Sequence, residues 1–465
     1  MKPVVVLDNG AHTLKVGLST DAHPKVIPNC IMKVKNERRR AFVGAQIDAC
    51  KDLSGLFYIL AFEKGYLVNW EVQKTIWESV FTQDLELEGK EILITTPMFN
   101  FTSVNEGIQE MMFEEFQVSA LTLRPGPDLS AWKSHLDCCV IIDCGFSFSH
   151  IIPYFMGERI ENCVRRVDVG GKVLTNYLTE IVSYRQLNVM DEGYVINQMK
   201  EDVSFVSLDF TKDMKACATK NNKIAREYVL PDFLNIKRGF MRECGIASEN
   251  SNEQVVHLMN ERFSVPELLF SPGNVGLDQM GVAEATVEVI QKLCPENLRF
   301  SLFSNIILTG GCVKFRNFAK RLERDIRSMA CDLYDVKVTM TDDPITAHWS
   351  GGAAFVKSKE YAARKMTRED YEELGPSRIV QLASGSISPK NMRSDEDDLD
   401  DGEDFDGVDL VEEDDNEEME DDGEGDEGLE EDDEEVDAED VQGEDDDDED
   451  EDQGGDDEED DIDFD

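Results

Sequence analysis

The sequence offers little to a membrane, a metal cage or an oxidising compartment. No run approaches the roughly 18–20 apolar residues that a membrane span requires, and the first apolar run, Val4 to Leu7, is too short for a signal peptide. A soluble, intracellular protein is expected. Histidine is scarce, with six in 465 residues, and the 11 cysteines are odd in number, scattered and without a C-x-x-C pair. That leaves neither zinc-ligand spacing nor a disulfide framework, and predicts reduced, mostly buried thiols. Lysine and arginine are absent from residues 394–465, a stretch that holds 48 of the 99 acidic residues. The remainder carries 46 basic and 51 acidic residues, a net charge of −5. The chain is therefore a near-neutral body joined to a polyanion.

An apolar content of 41% is enough for one large core or two linked ones. Two stretches follow one pattern. Val4-Val5-Val6-Leu7-Asp8-Asn9-Gly10 leads to Lys15, and Val140-Ile141-Ile142-Asp143-Cys144-Gly145 leads to His150. Each is a buried strand, an Asp-x-Gly turn, a second strand and a basic side chain seven residues after the Asp. Either copy alone reads as an ordinary hairpin turn. As a pair they suggest two similar domains that face one another and clamp a polyphosphate with a divalent cation. Backbone N–H groups in such turns point at phosphate oxygens, and a carboxylate at a strand end can hold the metal's waters.

Between and after these hairpins, strands alternate with helices. Trp70, Val72, Ile76, Trp77 and Val80 recur near helical spacing, residues 91–97 form a strand ended by Pro97, and residues 104–116 form an amphipathic helix. Gly170-Gly171 precedes a helix over 173–184, a strand–glycine–helix order that faces phosphate in many α/β proteins. Residues 190–290 read as mostly helical, and residues 300–311 as a buried strand running into Gly310-Gly311. Phe315, Phe318, Leu322 and Ile326 mark a helix whose arginine-rich face reads as solvated. Residues 33–40 are a basic cluster, read equally well as a nuclear-import patch or an exposed loop. From Ser394 onward the Asp/Glu-rich sequence has too little apolar surface to offset its ordering entropy, and disorder is expected.

Over residues 1 to about 380 the chain resembles the actin family. The resemblance rests on residues 4–17, Leu67-Val68-Asn69-Trp70, residues 112–116, 142–153 and 174–178, Asn260-Glu261-Arg262-Phe263, residues 266–270 and 307–311, and Trp349-Ser350-Gly351-Gly352, in the family's order and near its spacing. It implies an α/β actin-like fold: a body over residues 1–385 made of two related domains around an ATP cleft, with hinges near 125–150 and 320–350 and an insertion at 232–258, followed by a tail over 386–465. Residues 56–60, 64–66, 183–187 and 189–192 are most similar to a nuclear branch of the family, whose members belong to a chromatin remodeller that exchanges ordinary histone dimers for a variant form.

By this resemblance Asp8, Gly10 and Lys15 serve the first phosphate loop, Asp143, Gly145 and His150 the second, and Gly171, Lys200, Glu201, Gly310 and Gly311 the nucleoside. The implied cofactor is ATP with magnesium, its metal held through water by Asp8 and Asp143. The pattern is broken where the chemistry would occur. Ala11 replaces a serine facing the terminal phosphate, His12 a glycine, Gly126 the glutamine that orients attacking water, and Ile345 a lysine beside the adenine; Phe146-Ser147 replace an Asp-Gly pair. These changes predict nucleotide held poorly or statically and negligible ATPase activity, since hydrolysis depends on a positioned water.

The altered stretch 37–42 argues against filaments. A nuclear, partly cytoplasmic, structural subunit of a remodeller is the expected role. The alternatives are an ATP-hydrolysing relative of sugar kinases and chaperones, for which no catalytic base or peptide-binding domain can be assigned, and a filament-forming actin. By composition alone the acidic tail reads equally well as a solubilising run or a histone-binding one; Phe405 and Phe464, as apolar anchors, favour histone binding, and nucleic acid would be repelled.

Overall fold

The computed structural model describes residues 2–34, 41–44, 46, 56–83, 85–219, 222–232, 235–245, 253–373 and 375. Residues 35–40, Phe405 and Phe464 lie outside this set. In the first lobe, β-branched and leucine side chains make Val5–Asn9 a strand buried along its whole length. It pairs antiparallel with Thr13–Leu18 and parallel with Glu91–Thr96, inside a six-stranded sheet. The second lobe repeats the arrangement: Cys138–Cys144 pairs antiparallel with Ser149–Phe155 and parallel with Ile306–Thr309. In both hairpins the register sets the Asp opposite the residue seven positions later, Asp8 against Lys15 and Asp143 against His150. The two expected related α/β domains are thus present. No helix among the described residues is long and apolar enough to cross a membrane, and the ten described cysteines are unbridged, seven of them buried.

The chain passes from the first sheet to the second through the helix Gly126–Ser134 and returns along Ala347–Phe355. These two helices pack on one another beside the first sheet. Trp349, 2% exposed, donates its indole N–H to the Val6 carbonyl at 3.1 Å. A Cβ on Gly351 would lie 2.4 Å from the Leu129 carbonyl oxygen, and one on Gly352 would lie 2.9 Å from Val6 Cγ1. The Trp-Ser-Gly-Gly run is therefore a packing device: one large side chain fills the joint, and two absent side chains let the helix approach.

Several sequence expectations need correction. Residues 300–311 are not one strand, because Arg299–Ser304 is helical and only Ile306–Thr309 extends. The amphipathic helix stops at Glu110 and widens into a π turn over Met111–Glu115, which carries Met112 and Phe113 into the core. The region 190–290 includes a three-stranded antiparallel sheet: Arg226–Val229 lies between Phe240–Glu243 and Val255–Leu258, so the expected insertion supplies two strands. Four-residue strands are too short for their alternation to stand out. The arginine face of Phe318–Met329 is not uniformly solvated either. Arg321 grips Glu267 with two bonds of 2.7 and 3.0 Å and lies over the Phe270 ring.

Candidate functional site

The two hairpins border a cleft of about 780 Å³. All eleven candidate residues line it: Asp8, Gly10 and Lys15 from the first hairpin, Asp143, Gly145 and His150 from the second, with Gly171, Lys200, Glu201, Gly310 and Gly311. Asp8 is 4% exposed and fully engaged. It accepts from the Thr95 hydroxyl at 2.7 Å and pairs with Lys15 Nζ at 3.1 Å. Burial pushes its pKa up, but Lys15, His348 and the Thr95 bond outweigh that and hold the carboxyl below its usual value. A Cβ on Gly10 would meet the Thr13 carbonyl oxygen at 2.8 Å, so the first turn closes only around glycine. Gly310 has φ +89°, and a Cβ there would lie 2.3 Å from the Cys144 carbonyl oxygen.

Three candidates play parts that their spacing did not foretell. The N–H groups of Gly171 and Lys172 donate to the Gly145 and Phe146 carbonyls at 3.0 and 2.8 Å, so the start of the helix Gly171–Arg185 braces the second turn. Lys200 Nζ donates to the Gly171 carbonyl, Thr175 Oγ1 and Asn197 Oδ1, at 3.0, 2.8 and 2.8 Å. An ammonium has three donors, so Lys200 ties two helices together in the cleft wall. His150 is not the basic side chain expected from the repeat: burial pulls its pKa down to about 4 despite Asp143, leaving it neutral.

The departures from the pattern converge. His12, at the tip of the first turn, stacks on Phe146 at the tip of the second, with ring centroids 4.7 Å apart and planes 22° from parallel. Burial, then Lys200 and Lys15, lower the His12 pKa to about 4, so this ring is also neutral. Phe148 lies under the Arg166 guanidinium at 4.5 Å and presses on Gly65 of the first lobe, where a Cβ would come within 2.5 Å of its ring. Gly126 faces His348, whose Nδ1 would be 2.6 Å from a Cβ there. His348 Nε2 is 4.0 Å from Asp143 Oδ2 and, among the described residues, has no hydrogen-bond partner. Ile345 also lines the cleft. Nothing in local spacing announced Phe148, Gly65 or His348, because each acts through a residue distant in sequence.

Gly126→Gln is therefore expected to fail as a repair. Its side chain must displace the His348 imidazole, an overpacking cost of about 1–3 kcal/mol, seen as a lower melting temperature without gain of ATPase activity. Adding His348→Val should restore the melting temperature.

A family model described as Actin matches residues 1–383. The chain belongs to the actin family. It is 46% identical over 394 residues to Actin-related protein 6 of Drosophila melanogaster, covering 81% of this chain and 99% of the relative. Actin-like protein ARP6 of Yarrowia lipolytica is 36% identical over 394 residues, covering 84% of this chain and all of the relative. Actin-related protein 6 of Arabidopsis thaliana is 33% identical over 415 residues, covering 81% and 98%. The family match ends at residue 383, so the acidic run falls outside it. The family binds nucleotide with a divalent metal. Among the described residues no three His, Cys, Asp or Glu side chains form a ready-made cation cage.

Proposed function

We propose that this chain is a non-catalytic, structural actin-related subunit of a nuclear chromatin remodeller that inserts a variant histone into nucleosomes. The observation that carries the non-catalytic half is the crowding at the catalytic end of the cleft. His12 and Phe146 fill the gap between the turn tips, and His348 takes the space beside Gly126. Gly126 presents no side chain where the family resemblance expects the glutamine that orients the attacking water, and orientation with electrostatic stabilisation is nearly all that phosphoryl transfer asks of a protein. The nuclear half is supported by the branch-specific stretches 56–60, 64–66, 183–187 and 189–192 and by the likeness to relatives named Actin-related protein 6.

In this reading Asp8 and Asp143 would hold magnesium through its waters, and Lys15 with the turn backbones would hold phosphate. Bound nucleotide would supply an anion that both lobes grip, stabilising the closed body by linkage. Native purification of the full chain from nuclei, with quantitative mass spectrometry, tests the assignment: stoichiometric remodeller subunits are expected, and recovery as filaments or as a free monomer would exclude it.

The tail is assigned to histones. Forty-eight carboxylates without a basic residue favour strongly basic partners. The full chain should bind histone dimers with an affinity that falls as salt rises, and a chain ending at residue 393 should bind them at least about tenfold more weakly while still entering the remodeller. Phe405→Ala/Phe464→Ala, which leaves charge unchanged, should lose part of that affinity. Equal binding by the shortened and full chains would remove the tail from this role.

A further inference from the structure

The cleft's own side chains bear on which nucleotide it takes. The turn tips are bridged by the stacked rings of His12 and Phe146, and centroids 4.7 Å apart mean that the two rings touch. A tetrahedral phosphate cannot pass between rings in contact. A phosphate that enters the gap the rings fill must first break the stack, and the rings return little to it: Phe146 is apolar, and the imidazole, neutral above about pH 4, offers one N–H and no charge. The cation of the first hairpin, Lys15 Nζ, is shared with Asp8 at 3.1 Å and the Thr13 carbonyl at 3.3 Å, which leaves it one further N–H for phosphate. Elsewhere the cleft lining is more permissive. Gly310 and Gly311 keep the backbone bare, and Phe315 and Ile345 offer apolar walls.

Resting on the reading of this cleft as a nucleotide site, we propose that the His12–Phe146 pair makes it selective for a nucleoside diphosphate over the triphosphate. The third phosphate would have to occupy the volume that the rings fill. The selectivity lies in two side chains at the turn tips and needs no change in either sheet.

The test is equilibrium binding of Mg-ADP and Mg-ATP to the purified full chain, read by calorimetry and by thermal shift, in wild type, His12→Gly and Phe146→Ser. Wild type is expected to bind ADP about 10- to 100-fold more tightly than ATP, the equivalent of losing one or two charge-assisted hydrogen bonds. Either substitution should bring ATP within about threefold of ADP by raising its affinity, with ADP little changed. Two variants guard against one that folds poorly, since each unliganded melt reports its own folding. Equal affinities in wild type would overturn the proposal while leaving the nucleotide site intact. A preference for ADP that persists in both variants would remove it from this ring pair. If neither nucleotide nor adenosine shifts any of the three proteins, the nucleotide reading itself falls, and the proposal with it.

Discussion

Asp128→Ala is expected to destabilise the body by about 3–5 kcal/mol, the range seen when one partner of a largely buried ion pair is removed. Asp128 sits in the first turn of the helix that carries the chain from one lobe to the other. Its carboxylate accepts two bonds of 2.9 Å from Arg159 and one of 2.7 Å from the Tyr154 hydroxyl. The Asp128 and Arg159 side chains are only 12% and 20% exposed. Truncation takes two bonds from the Arg159 guanidinium, which keeps Glu161 at 2.8 Å, and leaves the Tyr154 hydroxyl without its acceptor, while Asp128→Asn keeps an acceptor and should lose less. Chemical denaturation of the chain ending at residue 393 measures both. A loss below about 1 kcal/mol for the alanine variant would mean that the crossing is held elsewhere, at Trp349 and its glycines.

Acidification should weaken the fold well before the carboxylates titrate. His12 and His150 are lowered from 6.5 to about 4 by burial, so both stay neutral while the imidazoles of the unfolded chain take up protons. The unfolded state then binds more protons throughout that window. Stability is complete above about pH 6.5 and falls as pH drops toward 4, by about 2–3 kcal/mol for each histidine. Asp8 acts lower down: its depressed pKa gives stability above the ordinary carboxylate value of 3.8 that is lost as pH falls further. Melting temperatures from pH 7.5 to 4.5 should decline, and less steeply in His12→Gly. A flat profile in wild type would contradict the neutral state of both rings.

Much of the fold could be read from residue order because its signals are local. An apolar run, Asp-x-Gly and a second run fix a hairpin, and a tight turn sets a residue seven positions on across from the Asp, which is why Lys15 and His150 were found by counting. What counting could not supply was environment. The same register that salt-bridges Lys15 leaves His150 buried and uncharged. Arginines that look like a solvated face include Arg321, whose acid partner Glu267 lies in another helix. At the site, the substitutions His12, Phe146 and Gly126 were visible one by one, but their consequences were not: the stack joins the tips of two hairpins, and the space beside Gly126 is taken by a histidine from the returning helix. Such pairings depend on how the lobes close, and no periodicity records that.

In the function proposed above, the cleft holds nucleotide without turning it over. The most direct measurement is phosphate release from γ-labelled ATP by the purified wild-type chain, with magnesium and the chain in molar excess, so that even one turnover would be seen. Release indistinguishable from buffer is the predicted result, unchanged in Gly126→Gln. Release at a rate comparable with filament-forming actins would contradict it.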